Sequence, residues 1–258
     1  MLKSNFIIAG PCVMEPKDLS IEVAKYCKSV CDKYGFEYIF KASFDKANRT
    51  SVESYRGPGL NNSIETFKII KRFVKYTTTD IHEPHQAKVI APYVDILQIP
   101  AFLCRQTDLL LAAGETGKII NIKKAQFLSA DKIEHVVKKV YSTGNKSVML
   151  TERGSMMGVD DLVVDFRNIH KLKQFGCPVV MDVTHACQTY KQSNGITGGD
   201  RLYGPLFAQC AKIFGADGIF AEVHPTPDKA LSDSANTMDF DMFENMVKDL
   251  ANLKSYNE

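Results

Sequence analysis

The sequence predicts an α/β fold of the (β/α)8 TIM-barrel type on three observations: apolar runs that recur eight times, segments of helical period between them, and a polar or ionisable residue at the end of each run. The runs are Phe6 to Cys12, Tyr38 to Ser43, Val74 to Ile81, Ile96 to Ala101, Ile119 to Lys123, Ser147 to Arg153, Pro178 to His185 and Gly218 to Pro225. They are rich in β-branched residues and read as nearly continuous apolar stretches, the pattern of parallel strands buried on both faces.

Between the runs, Leu19, Val23, Tyr26, Cys27 and Val30 recur at helical spacing, and Ile133, Val136, Val137 and Val140 do so after an N-cap at Ser129. Three helices end alike, at Tyr34-Gly35, Phe175-Gly176 and Phe214-Gly215, where glycine takes the left-handed C-cap before the next strand. Right-handed crossovers add each strand beside its predecessor, so eight such units close most simply into a barrel, with a doubly wound open sheet as the alternative. No Gly-rich linker or shift of composition divides the chain, and residues 1–258 read as a single catalytic barrel domain. The polar stretches Ser43 to Asn62 and Ala186 to Gly199 are loops long enough to carry function.

With 45% hydrophobic and 24% charged residues, the chain has the balance of a soluble protein with a large core. A net charge of +2 provides no basic field to attract nucleic acid or an anionic membrane. No apolar run is long enough to span a bilayer, and the N-terminal residues lack the features of a secretory signal. Seven scattered cysteines, an odd number, read as reduced intracellular thiols. The expectation is a cytoplasmic protein with no nucleic-acid and no membrane partner.

The chemistry gathers at the C-terminal ends of the runs, at Cys12, Lys41, Asp80 with His82, Gln98, Lys123, Arg153, His185, and Glu222 with His224. Barrel enzymes build their active sites on that face. A single lysine at a strand end is more often a snorkelling surface residue. Lys41, Lys123 and Arg153 on three strands, joined by Lys46, Arg49 and Arg56 in the loop after the second, point instead to a substrate bearing several phosphates or carboxylates. Neither a P-loop nor a dinucleotide glycine fingerprint occurs, which disfavours a nucleotide cofactor.

Cys12 and His185 end the first and seventh runs and Glu222 lies near the end of the eighth; these runs are neighbours in a closed barrel, and Asp233 follows in the next loop. A thiolate, an imidazole and carboxylates suit Zn2+, Fe2+ or Mn2+ better than Mg2+ or Ca2+. The bland reading makes Cys12 a small buried hydrophobe, His185 a satisfied core histidine and Glu222 the partner of a lysine, and no short ligand motif decides between the two. Cys27 and Cys31, four apart on a helix with no histidine near, read as packing. A Schiff-base aldolase using Lys123 or Lys41 and a non-catalytic sugar-phosphate binder are the competing functions.

The stretch Lys41-Ala42-Ser43-Phe44-Asp45-Lys46-Ala47-Asn48-Arg49-Thr50-Ser51, followed by Arg56-Gly57-Pro58-Gly59, resembles the signature of the 3-deoxy-D-manno-octulosonate 8-phosphate synthases. So do Thr79-Asp80-Ile81-His82-Glu83, Gln98-Ile99-Pro100-Ala101-Phe102-Leu103 with Cys104-Arg105-Gln106, Lys123-Lys124-Ala125-Gln126-Phe127, and Thr151-Glu152-Arg153-Gly154. The likeness covers essentially the whole chain. It implies condensation of phosphoenolpyruvate with D-arabinose 5-phosphate and water, for the inner core of lipopolysaccharide. By that resemblance Lys41, Ser43, Gln98, Pro100, Ala101, Lys123 and Arg153 hold phosphoenolpyruvate. Lys46, Asn48, Arg49, Thr50 and Ser51 hold the pentose phosphate, with Arg105 entering from a neighbouring subunit of a homotetramer. His185, Lys41, Lys46, Asn48, Asp80 and His82 are the implied catalytic residues. Relatives with cysteine at the position of Cys12 resemble the metal-dependent class and those with asparagine the metal-independent one, so the resemblance implies a divalent metal on Cys12, His185, Glu222 and Asp233. A related synthase that takes erythrose 4-phosphate carries Lys-Pro-Arg-Thr in the loop where this chain has Ala47-Asn48-Arg49, which favours the pentose.

Overall fold

Eight parallel strands pair edge to edge until the last meets the first: β1 (Phe6–Gly10), β2 (Glu37–Lys41), β3 (Tyr76–Asp80), β4 (Ile96–Ile99), β5 (Ile119–Lys123), β6 (Val148–Glu152), β7 (Val179–Asp182) and β8 (Gly218–Glu222). The seam between β8 and β1 runs in register from Phe6 opposite Gly218 to Gly10 opposite Glu222. That pairing realises the barrel and rules out the open sheet. The structure is a computed structural model that describes residues 2, 4–49, 51–156, 161–189 and 198–254. Thr50 and positions 190–197 of the stretch Ala186 to Gly199 lie outside the described residues.

The crossovers are α1 (Lys17–Tyr34), α2 (Leu60–Ile70), α3 (Pro84–Ile90), α4 (Thr107–Glu115), α5 (Ile133–Tyr141), α6 (Arg167–Lys173), α7 (Tyr203–Ile213) and α8 (Phe240–Asn252). Gly35, Gly176 and Gly215 have φ of 78°, 70° and 82°, the left-handed conformation expected after three of these helices. Ser129 caps a 3-10 turn, Ala130–Lys132, instead of the α-helix itself, and its side chain makes no capping bond. The tighter turn delays α5 to Ile133. Cys27 and Cys31 are buried in the core cluster between α1 and the sheet, as packing requires. Among the described residues no helix is long and apolar enough to cross a membrane.

Side chains alternate in and out along each strand. Ile7, Ala9, Tyr38, Phe40, Leu97, Ile120, Leu150, Met181 and Ala221 join the large core cluster that includes the helices. Phe6, Ile8, Ile39, Ile96, Met149, Val180 and Phe220 form a second, smaller cluster inside the barrel. Two residues further along, the inward positions turn polar: Lys41, Gln98, Thr151, Asp182 and Glu222 follow Ile39, Ile96, Met149, Val180 and Phe220. The barrel is thus plugged with hydrocarbon below and lined with polar and ionisable groups above.

Apart from β5, the strands stop earlier than the apolar runs. Cys12, Ser43, Ala101, Arg153 and His185 stand just beyond strand ends, in the loops. Pro11 and Pro100 have no N–H to continue a ladder, and at β7 the Asp182 carboxylate takes the amides of Thr184 and His185, turning the chain into the 3-10 turn His185–Cys187. Two antiparallel ribbons stand beyond the strand ends, Ser155–Met156 with Leu162–Val163 and Gln188–Thr189 with Gly198–Gly199. The second replaces part of the loop expected after the seventh strand.

Candidate active site at the C-terminal mouth

A cavity of about 260 Å³ opens at the C-terminal ends of the strands. Lys41 lines it, donating to Ser43 Oγ at 2.9 Å with its Nζ 3.2 Å from Asp80 Oδ1. The other Asp80 oxygen lies 3.2 Å from His82 Nε2. Burial lowers the Lys41 pKa and Asp80 works against it. Burial acts to raise Asp80, yet Lys41 and His82 outweigh it and hold the carboxyl well below its ordinary range. The result is an ion-paired row across β2 and β3.

Lys123 donates to Asp182 Oδ2 at 2.5 Å, and its Nζ lies 3.9 Å from the centre of the Phe220 ring. Asp182 also lies 2.8 Å from His185 Nδ1. Its burial favours the neutral acid, but His185 and Lys123 outweigh that and keep the carboxyl far below its usual range. With Nδ1 held by a buried carboxylate, His185 presents Nε2 to the cavity, 3.7 Å from Glu222 Oε1 and 3.9 Å from Asp233 Oδ2. This is how a metal-ligating imidazole is oriented in general.

Arg153 is buried and reaches only neutral oxygens among its described partners: Gln126 Oε1 at 3.0 Å, Gln188 Oε1 at 2.5 Å and the His185 carbonyl at 3.3 Å. Its charge is therefore left to an anion in the cavity.

Three of the four expected metal ligands converge, and His185 Nε2 stands beside two of them. Ligand atoms of Cys12, Glu222 and Asp233 lie within 4.8 Å of one another, and the Cys12 thiol donates to Asp233 Oδ2 at 3.1 Å. Both Glu222 carboxylate oxygens are buried without a hydrogen-bond partner. Such a group is costly unless a cation offsets it. The same acids outweigh the burial that would lower the Lys46 pKa and push it well up. The Cys12 thiol is also pushed up, by burial and then by Glu222 and Asp233. Asp233 is lowered to about 2, since His185 and Lys46 more than offset its burial. A soft-and-hard donor set around an orphaned carboxylate fits a divalent transition metal.

Asn48, Arg49, Gln98, Pro100 and Ala101 also line the cavity. Arg49 donates to Ser232 Oγ at 2.5 Å and to the Leu231 carbonyl at 3.2 Å, so it bridges the loop after β2 to the loop that carries Asp233. Ser43 is buried behind Lys41. Ser51 is exposed and its Oγ accepts from the Glu53 amide at 3.3 Å. Thr50 lies outside the described residues. Arg105 is exposed, its carbonyl accepting from Lys139 at 2.8 Å, and it is not among the residues that line this cavity. Arg56 departs from the expected basic cluster, because its guanidinium is bidentate to Asp45. His224 turns away too, with Nδ1 accepting from the Thr226 amide and Nε2 3.7 Å from Glu15.

Sequence reasoning missed Asp182, Gln126, Gln188 and Ser232. Asp182 was detectable, since it lies two residues after inward-facing Val180 in an otherwise apolar strand. The two glutamines and the serine act through contacts distant in sequence that no local period announces.

The profile of the DAHP synthetase I family matches residues 3–257. The chain is 48% identical over 245 residues to the 2-dehydro-3-deoxyphosphooctonate aldolase of Desulfatibacillum aliphaticivorans, which covers 95% of this chain and 90% of that one. It is 49% identical over 248 residues to the protein of the same name in Fusobacterium nucleatum subsp. nucleatum, covering 95% and 89%. A third, from a Cyanothece strain, is 44% identical over 250 residues, covering 96% and 92%. Matched along almost its whole length by one family profile and by relatives of one name, the chain belongs to the DAHP synthetase I family.

Proposed function

We propose that this chain is a 3-deoxy-D-manno-octulosonate 8-phosphate synthase, condensing phosphoenolpyruvate, D-arabinose 5-phosphate and water to the eight-carbon keto acid phosphate and inorganic phosphate. The observation that carries the reading is one cavity in which Lys41, Lys123 and Arg153 face His185, Glu222 and Asp233, with the Cys12 thiol within reach of the two carboxylates. The name shared by its relatives, a phosphooctonate aldolase, supplies the product. Residues 1–258 form one catalytic barrel on this reading, acting in the cytoplasm on a lipopolysaccharide precursor.

Lys41, Lys123 and Arg153 bind the phosphate and carboxylate of phosphoenolpyruvate, with Ser43, Gln98, Pro100 and Ala101 around them. Lys46, Asn48, Arg49, Thr50 and Ser51 take the pentose phosphate. A homotetramer brings Arg105 of a neighbouring copy to the rim, which suits its exposure and its position outside its own cavity.

In the reaction C3 of phosphoenolpyruvate bonds to the pentose aldehyde carbon, whose oxygen takes a proton and becomes a hydroxyl. Water adds at C2, and the C2–O bond to phosphate then breaks, leaving the keto acid. His185 Nε2 faces the cavity and is placed to carry a proton, and Asp80 with His82 forms a second ionisable pair beside Lys41. Cys12, His185, Glu222 and Asp233 would hold a Zn2+, Fe2+ or Mn2+ ion, which would supply Lewis acidity to an oxygen of the reactants.

An assay offering arabinose 5-phosphate and erythrose 4-phosphate side by side tests the reading, with turnover expected only for the pentose. Chelation should abolish that turnover, with Zn2+, Fe2+ or Mn2+ restoring it to different degrees. Preference for erythrose 4-phosphate would overturn the substrate, and full turnover by metal-free protein would overturn the metal.

A further inference from the structure

Arg153 and Asp233 serve different parts of the proposed chemistry, the first facing phosphoenolpyruvate and the second the divalent ion. One side chain touches both. Gln188 Oε1 accepts from Arg153 Nη2 at 2.5 Å, and Gln188 Nε2 donates to Asp233 Oδ1 at 3.0 Å. Gln188 is buried on the cavity wall, at the base of the Gln188–Thr189 ribbon.

The residue type matters here. A guanidinium offers only donors and an ionised carboxylate only acceptors, so a single orientation of an amide satisfies both neighbours. The reversed amide would set its NH2 against Arg153 and its oxygen against Asp233. A carboxylate at this place would serve the arginine alone, an ammonium the aspartate alone, and a hydrocarbon neither.

Asp233 is also poised to respond. Its φ of 48° puts a non-glycine residue in the left-handed region, which surrounding contacts must maintain. Its other carboxylate oxygen takes the Cys12 thiol at 3.1 Å and the Ser232 hydroxyl at 3.4 Å, so Gln188, Cys12 and Ser232 together set the direction of the carboxylate.

We infer that Gln188 is a positioning residue that couples the two halves of the site: an anion that draws on the Arg153 guanidinium shifts the Gln188 amide, and with it the Asp233 carboxylate that helps hold the ion. The inference rests on the functional reading above. Coupling of this kind is reciprocal, so the ion and phosphoenolpyruvate change each other's affinity by the same factor.

Titration of Mn2+ into metal-stripped protein, read by the spin resonance of the free ion, tests it with and without saturating phosphoenolpyruvate. In the wild type, phosphoenolpyruvate is expected to change the Mn2+ affinity by roughly 5–150-fold, the usual span of such couplings. Gln188→Met has nearly the same shape with neither donor nor acceptor, and should bring that factor to within about twofold. Gln188→Glu keeps the acceptor for Arg153 but sets a second carboxylate against Asp233, and should lose the coupling too. It carries the measurement if the methionine variant does not fold. A side chain that merely supported the fold would weaken both affinities and leave their ratio alone. Wild-type coupling retained in a folded variant overturns the inference, as does a wild type that binds both ligands independently. A wild type that binds neither Mn2+ nor phosphoenolpyruvate overturns the functional reading itself, and the relay with it.

Discussion

Asp182 is fully buried, yet it holds Lys123, orients His185 and turns the chain after β7. Asp182→Asn keeps the shape but removes the charge that fixes the imidazole, and it should weaken Mn2+ binding by about 10–100-fold, the scale on which carboxylates behind ligating histidines act. An unchanged Mn2+ titration would show that the Asp182 charge is not what sets the imidazole for the ion. Asp80 gives a pH prediction of definite sign. Its folded pKa is depressed, because Lys41 and His82 outweigh burial. Its contribution to stability is thus complete above the ordinary carboxylate value of about 3.9 and lost as the pH falls through the depressed one. The melting-temperature gap between wild type and Asp80→Asn should be widest near neutral pH and close on acidification. A gap that stays constant into acid would mean that the charge contributes nothing.

Among the elements, β1 and β2 show how closely the site depends on backbone packing. A Cβ added at Gly10 would lie 2.0 Å from the Lys41 carbonyl oxygen. Gly10→Ala should force the two strands apart at the level of Lys41, costing about 1–3 kcal/mol in denaturant unfolding and lowering activity as well. Wild-type stability would mean that the seam relaxes freely. The strands themselves were legible in the sequence, as was Lys41, Gln98 and Glu222 pointing to one mouth, because burial on both faces and a period of two leave a direct trace. The ends were less so. A proline or a carboxylate that captures amides ends a strand without ending its apolar run, which is why Cys12 and His185 fall in loops. Gln188 left no trace, since its meaning depends on residues 153 and 233 arriving from two other loops.

For the whole molecule, the exposure of Arg105 outside its own cavity sets a test of assembly. If a neighbouring copy supplies it, co-expressing an Arg105→Ala chain with a Lys123→Ala chain should yield active hybrids, because some sites then have both side chains. Mixtures as inactive as either parent would place Arg105 outside the chemistry. Closure of the ring has a further consequence. The Cys12 thiol bonds to a carboxylate 221 positions away, across the seam where β8 meets β1. On a ribosome, the first strand would be made long before its partner, and its open edge must wait through most of translation. No fragment short of the eighth strand and the loop after it can assemble the cluster, so metal capture would report that the last strand has joined the first.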